Sequence, residues 1–217
     1  MDLRFAIRTN GSVRRFTPEP VEPATVVEVL DDARFAPSGG NGQPWRVAVI
    51  EDDGLRRSVA DLMQPVWDEY LEIRAAGGQP FTVVGYDVPE TITPNKPNDL
   101  LDRIETIPVV LAVAADLGKI AMMDGDLGRA PMTGGGSIYP FCWNLLLSAR
   151  AHGLGGVMTT FLSRREPDAA PLLGLPSDHA LVATIFLGHP EHQPTKLSRR
   201  PVASFATIDR FDGEPLA

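Results

Sequence analysis

Two short stretches hold most of the residues whose types and spacing suit chemistry. Ser12-Val13-Arg14-Arg15-Phe16 presents a hydroxyl and two guanidinium groups, followed by proline-rich chain. Ala36-Pro37-Ser38-Gly39-Gly40-Asn41-Gly42-Gln43-Pro44-Trp45-Arg46 is a committed loop. Its glycines let backbone donors approach whatever lies above them. Asn41 and Gln43 add paired donor and acceptor groups, suited to the edge of a planar heteroaromatic ring. Taken singly, the first stretch reads equally well as a surface arginine pair and the second as a long turn. Their joint occurrence across one amphipathic helix is far more specific.

Other chemistries find little support. His189 and His192 sit three apart with Pro190 between them and no ligand-spaced carboxylate or thiol, so no metal is expected. His152 ends a helix, where the dipole accounts for it; His179 has no motif around it. There is no G-x-S-x-G elbow, and Cys142 lies in an apolar helix as a small core residue. Asp31-Asp32 and Asp52-Asp53 read as solvated helix-end charges. Gly134-Gly135-Gly136-Ser137 lacks the lysine of a phosphate loop. Gly153-Leu154-Gly155-Gly156 runs helix to strand, the reverse of the dinucleotide fingerprint.

The elements that must position these residues follow from periodicity. Helices are expected over 2–9, 24–36, 54–75, 137–152 (capped by Ser137) and 166–173, the last closed by Gly174. In the long helix 54–75 the expected apolar face is Leu55, Val59, Leu62, Val66 and Leu71. Strands are expected over 45–50, 107–115, 157–161 and 180–187, the second buried on both faces. Residues 77–98 hold four prolines and no period. We read them as a lid, with Phe81 and Tyr86 facing the substrate. The last thirty residues read as an extended arm, about 189–217.

The 217 residues suffice for a single domain, 1–217. A net charge of −8 excludes the basic face a nucleic-acid partner requires. One cysteine, no basic-then-apolar leader and no long apolar run point to a cytoplasmic protein away from membranes.

The two motifs, in this order and spacing, resemble the nitroreductase family of flavoproteins. That family opens with R-R-S-x-R-x-F and continues with P-S-x-x-N-x-Q-P-W. The likeness extends through Gly153–Gly156, Leu173-Gly174-Leu175-Pro176, Leu187–Pro190 and Arg199-Arg200-Pro201. It implies an α+β, three-layer fold with a central, mostly antiparallel sheet flanked by helices. It also implies an intertwined homodimer with one FMN per subunit at the interface, reduced by NADH or NADPH. By position, Ser12 and Arg14 would bind the FMN phosphate and ribityl end, with Arg199 reaching the same phosphate. Asn10 and Gly11 stand in that site where the family has two basic residues. Pro37, Ser38, Gly39, Asn41 and Gln43 would line the flavin from the neighbouring subunit. Gly155, Gly156, Val157, Met158 and Thr159 would lie against the ring. No catalytic acid or base is demanded, because hydride transfer belongs to the flavin. The acceptor expected is a small electrophile: a nitroaromatic, quinone or activated alkene. Flavin fragmentation, substrate oxidation and non-catalytic flavin binding are the alternatives.

Overall fold

Seven of the eight residues of β2 (Val109–Asp116) are buried, and this strand is the spine of the molecule. Alternation sends Val109, Leu111, Val113 and Ala115 to one face and Val110, Ala112 and Ala114 to the other. β1 (Trp45–Val49) and β4 (His179–Gly188) flank it, and β3 (Gly155–Thr159) pairs with β4. The order is β1-β2-β4-β3, with every pairing antiparallel. The computed structural model describes residues 1–216; the last residue of the expected arm, 217, lies outside the described residues.

Helices cover both faces. α2 (Pro23–Ala33) and α4 (Tyr139–Ala151) pack one core, where Val29 and Ala33 join Phe141, Cys142 and Leu145. α3 (Asp53–Ala75) and α5 (Glu166–Leu173) pack the other, with Val59, Met63 and Ala169 against Phe186. α1 (Leu3–Thr9) rests on α4. This is the expected three-layer α+β arrangement. Asp52 caps α3 by accepting from the Leu55 N–H at 2.7 Å, and Gly174, at φ 59°, ends α5. Arg56 is buried but satisfied, donating to the carbonyls of Ile50 and Ile107, so it ties α3 to the ends of the central strands.

Four expectations need correction. β3 begins at Gly155 rather than 157 and ends at Thr159. A Cβ on Gly155 would lie 2.7 Å from Val13 Cγ2, and one on Gly156 2.6 Å from Leu187 Cδ2. Close packing selects glycine there, and glycine hides the strand signal. Ser137 does not cap α4; Ile138 occupies the cap position, and the Ser137 hydroxyl instead accepts from the Gly39 N–H at 3.0 Å. The buried stripe of α3 runs through Val59, Met63, Val66 and Ile73 rather than Leu71. The tail is not simply extended: Val202–Ser204 forms a 3-10 turn, and Thr207 bridges Pro215 across a tight reversal.

Candidate functional site

Asn10 ends α1, is buried, and leaves its Nδ2 without a partner. From there the chain runs beside β3. Ser12 bridges Gly156 in parallel, and the Val13 N–H donates to the Gly156 carbonyl at 2.9 Å. Arg15 pairs with Asp99 at 2.8 Å, which raises its pKa. Arg14 has no carboxylate partner among the described residues and lines a cleft of about 620 Å³. Met158, Thr159 and Thr160, at and just beyond the end of β3, line the same cleft. The Thr159 hydroxyl is buried without a partner. The tail passes this region closely: a Cβ on Gly11 would come within 2.9 Å of Pro194 and Leu197 side chains. Arg199 follows two residues later, exposed, its Nη1 donating only to its neighbour's carbonyl, Ser198.

The second motif is a stiff, strained loop. Gly40, Asn41 and Gln43 have φ values of 57°, 55° and 46°. Left-handed geometry at non-glycine residues costs on the order of 1–3 kcal/mol each, and it persists where surroundings over-determine it. Here they do. The Ser38 hydroxyl accepts from the Gln43 N–H at 3.0 Å, and Gln43 Nε2 donates to Asn41 Oδ1 at 3.2 Å. Ser137, inside the fold, holds Gly39. Gly39, Gly40 and Asn41 are nonetheless exposed.

The sheet separates the two motifs. Ser12 meets Gly156, which pairs with Leu187, whereas Trp45 pairs through Ala115 to Ala180. Seven residues of β4 at 3.3 Å each put them about 23 Å apart along the strands. Three strand spacings from β1 to β3 and a fourth out to Ser12 add about 19 Å across the sheet. Within one chain, the motifs stand at diagonally opposite corners.

The nitroreductase family model matches residues 7–189. This chain belongs to the nitroreductase family. Members of the family are oxidoreductases. Its relatives include 5,6-dimethylbenzimidazole synthase of Rhodospirillum rubrum, 32% identical over 208 residues, spanning 92% of this chain and 87% of the relative. NADH dehydrogenase of Thermus thermophilus is 29% identical over 230 residues, covering 93% of each. Among solved structures, NADPH:FMN oxidoreductase from Vibrio harveyi complexed with NAD⁺ superposes with a TM-score of 0.68 at 19% identity. That match covers 95% of this chain and 76% of the other. It shows a shared fold.

In this nitroreductase-family chain the other candidates fall into place. Burial pushes the Cys142 thiol up to about 12, far from a reactive nucleophile. Asp116, Asp178 and His179 cluster, but Lys119 Nζ sits 3.1 Å from Asp116 and His179 hydrogen-bonds Asp178 at 2.7 Å. The protein's own groups satisfy that cluster. No helix among the described residues is long and apolar enough to cross a membrane. Residues 77–98 contain no regular element, yet their second half is strapped to α3. The buried Asp68 carboxylate accepts from the Asn95 and Lys96 N–H groups at 2.8 Å each. Lys96 Nζ lies 2.6 Å from Glu72. Phe81 and Tyr86 are not in the cleft lining; Phe81 packs behind Tyr70, which is. Sequence reading missed Trp67, Tyr70, Asp99 and Phe161 in that lining. Trp67 and Tyr70, three apart on a helix, carried the one usable signal.

Proposed function

We propose that this chain is an FMN-dependent oxidoreductase that moves reducing equivalents from NADH or NADPH to a small electrophile. The observation that carries this reading is the cleft. It joins Arg14, a cation without a carboxylate partner among the described residues, to Met158, Thr159 and Thr160 at the end of β3. An anionic ligand completes that cation. The residues present fit FMN. Arg14, with Ser12 and with Arg199 from the adjoining tail, would hold its phosphate, and Asn10 is the neutral residue that ends α1 beside them. Gly155–Thr159 would back the ring.

When bound, FMN supplies two-electron hydride exchange, which no side chain can perform. The protein's own residues do the rest. Arg14 and Ser12 fix the anionic end, and backbone N–H groups of β3 offer donors to the ring edge. Trp67, Tyr70 and Phe161 exclude water from the cleft. A quinone acceptor that gains a hydride and a solvent proton leaves as the hydroquinone.

The ring edge requires the second motif, and a second copy of the chain would supply it. We place Pro37, Ser38, Gly39, Asn41 and Gln43 of one protomer over the cleft of its partner, since within one chain the strand that follows them, β1, lies three strand spacings (about 14 Å) from β3 at the opposite edge of the sheet. The buried thiol and the acidic surface fit a cytoplasmic setting.

Anaerobic titration with NADPH tests the proposal. The purified protein should carry a flavin spectrum that bleaches with one equivalent, and steady-state turnover should give parallel double-reciprocal lines. A bound flavin that no nicotinamide bleaches would overturn it. The similarity to a benzimidazole synthase favours one second reading, fragmentation of the flavin itself. Chromatography after aerobic incubation of the reduced protein would reveal a benzimidazole product in that case.

A further inference from the structure

The chain's only cysteine, Cys142, is buried with its thiol pushed up to about 12, so an oxidant finds no thiolate to attack. Thioethers are the remaining sulfur. Three of the six methionines, Met122, Met123 and Met132, fall in one irregular stretch between β2 and α4, and all three are exposed.

That stretch closes into a ring. The buried Asp124 carboxylate accepts from the Met132 and Thr133 N–H groups at 2.9 and 3.1 Å and from the Thr133 hydroxyl at 2.6 Å, and it pairs with Arg129. The Met123 N–H donates to the same Thr133 Oγ1 at 3.0 Å. Met122 lies in the seam. Its Sδ is a second, weak acceptor for the Thr133 hydroxyl, at 4.0 Å. Its methyl end fills the place of a side chain on buried Gly134, where a Cβ would lie 2.5 Å from Met122 Cε and 3.2 Å from Sδ. Met123 and Met132 stand further out, at 82% and 66% exposed against 47% for Met122. The ring is also the bed of the second motif. On its entry side, a Cβ on Gly42 would lie 3.1 Å from the Lys119 carbonyl oxygen, and one on Gly39 3.8 Å from Ala121 Cβ. Its exit is the 3-10 turn Thr133–Ser137, whose last hydroxyl accepts the Gly39 N–H.

We propose that Met122 is a reversible oxidation site, with hydrogen peroxide as the oxidant, and that its sulfoxide opens the Asp124 ring and loosens the second motif. The thioether sulfur gives up two electrons and gains one oxygen. The peroxide O–O bond breaks, and the other oxygen leaves with both protons as water. A sulfoxide is polar and chiral where the thioether was apolar and flexible. Its oxygen accepts hydrogen bonds far better than sulfur does, so it competes with Asp124 for the Thr133 hydroxyl. It also fits badly in the apolar seat between Gly134 and Ile120. The effect on flavin binding rests on the placement of the second motif proposed above; the opening of the ring does not.

The test treats the FMN-loaded parent, Met122→Leu and the double variant Met123→Leu/Met132→Leu with hydrogen peroxide. Peptide mass maps the added oxygens, and amide exchange is followed at Met132, Thr133 and Gly39. The oxidised parent and double variant should exchange there about tenfold faster than before treatment, with β2 unchanged. Methionine sulfoxide reductases A and B together should restore both proteins. Met122→Leu should take up oxygen at Met123 and Met132 without faster exchange. Met122→Gln, polar and of similar length, should exchange fast without peroxide, which decides the matter if Met122→Leu folds poorly. Three results would each overturn the assignment: Met122 left unoxidised where Met123 is fully converted, unchanged exchange after its oxidation, or a Met122→Leu response equal to the parent's. Flavin fluorescence on dilution separates the two readings. Oxidation should weaken FMN binding about tenfold in the parent and leave Met122→Leu unaffected. Faster exchange with unchanged FMN retention would leave the oxidation site standing and remove the second motif from the flavin.

Discussion

At the scale of single residues, the balance of charge around the cleft decides what it can hold. The chain carries 28 acidic side chains against 20 lysines and arginines, yet Arg14 faces the cleft without a carboxylate partner among the described residues. Arg15, beside it, is spent on Asp99. Since Asn10 and Gly11 are neutral, Arg14 and Arg199 should bear most of the phosphate's charge. Replacing either by alanine is expected to weaken FMN binding by about 1.5–3 kcal/mol. That is roughly ten- to hundred-fold, readable from the fluorescence of flavin released on dilution. Retention equal to the parent's in both variants would move the phosphate elsewhere.

Among the elements, α3 matters most, because it holds the irregular chain that edges the cleft. Asp68, Glu72 and Trp67 together grip residues 93–97. This makes the segment a clasped border. The Glu72 carboxyl is held down to about 2, chiefly by its hydrogen bond with Lys96 and then by Thr93. A depressed carboxyl stabilises the folded clasp above its ordinary value near 4.5, and that contribution fades as the pH falls toward 2. Amide exchange should therefore show Thr93–Lys96 losing protection between pH 4.5 and 2 before β2 does. Glu72→Gln should reproduce the loosening at neutral pH, with the β2 amides unaffected. Simultaneous loss of protection in both places would show that the clasp has no independent opening.

For the whole molecule, surface area speaks to assembly. The described chain exposes 12846 Å², whereas a compact monomer of this size exposes about 9,800 Å². The surplus, about 3,000 Å², includes Phe35, Phe205 and a fully exposed Phe211. Obligate homodimers bury areas of this order. Sedimentation should give a dimer at every concentration where flavin stays bound. The diagonal placement of the two motifs allows a sharper measurement. Arg14→Ala and Asn41→Ala homodimers should each lose tight FMN binding. A mixed dimer of the two concentrates both lesions in one site, leaving the other intact, so it should bind one FMN at parental affinity. No recovery in the mixed dimer would mean that each site is built within one chain.

The sequence by itself determined the local elements and the two motifs. Helical periodicity marked α2 and α3, an unbroken aliphatic run marked β2, and the Pro37–Trp45 loop stood out because glycine, asparagine and proline act within a few residues of their own position. Boundaries that depend on distant neighbours were not legible. Gly155 and Gly156 are in a strand because Val13 and Leu187 press on them, and Ser137 turns from its own helix to hold Gly39. The tertiary structure alone decided the cleft. Trp67, Asp99, Arg14 and Thr159 come from four separate stretches, and nothing in their spacing along the chain encodes their meeting. It also decided that the two motifs stand apart: antiparallel pairing carries β1 and β3 to opposite edges of the sheet, a fact set by strand order that no local pattern records.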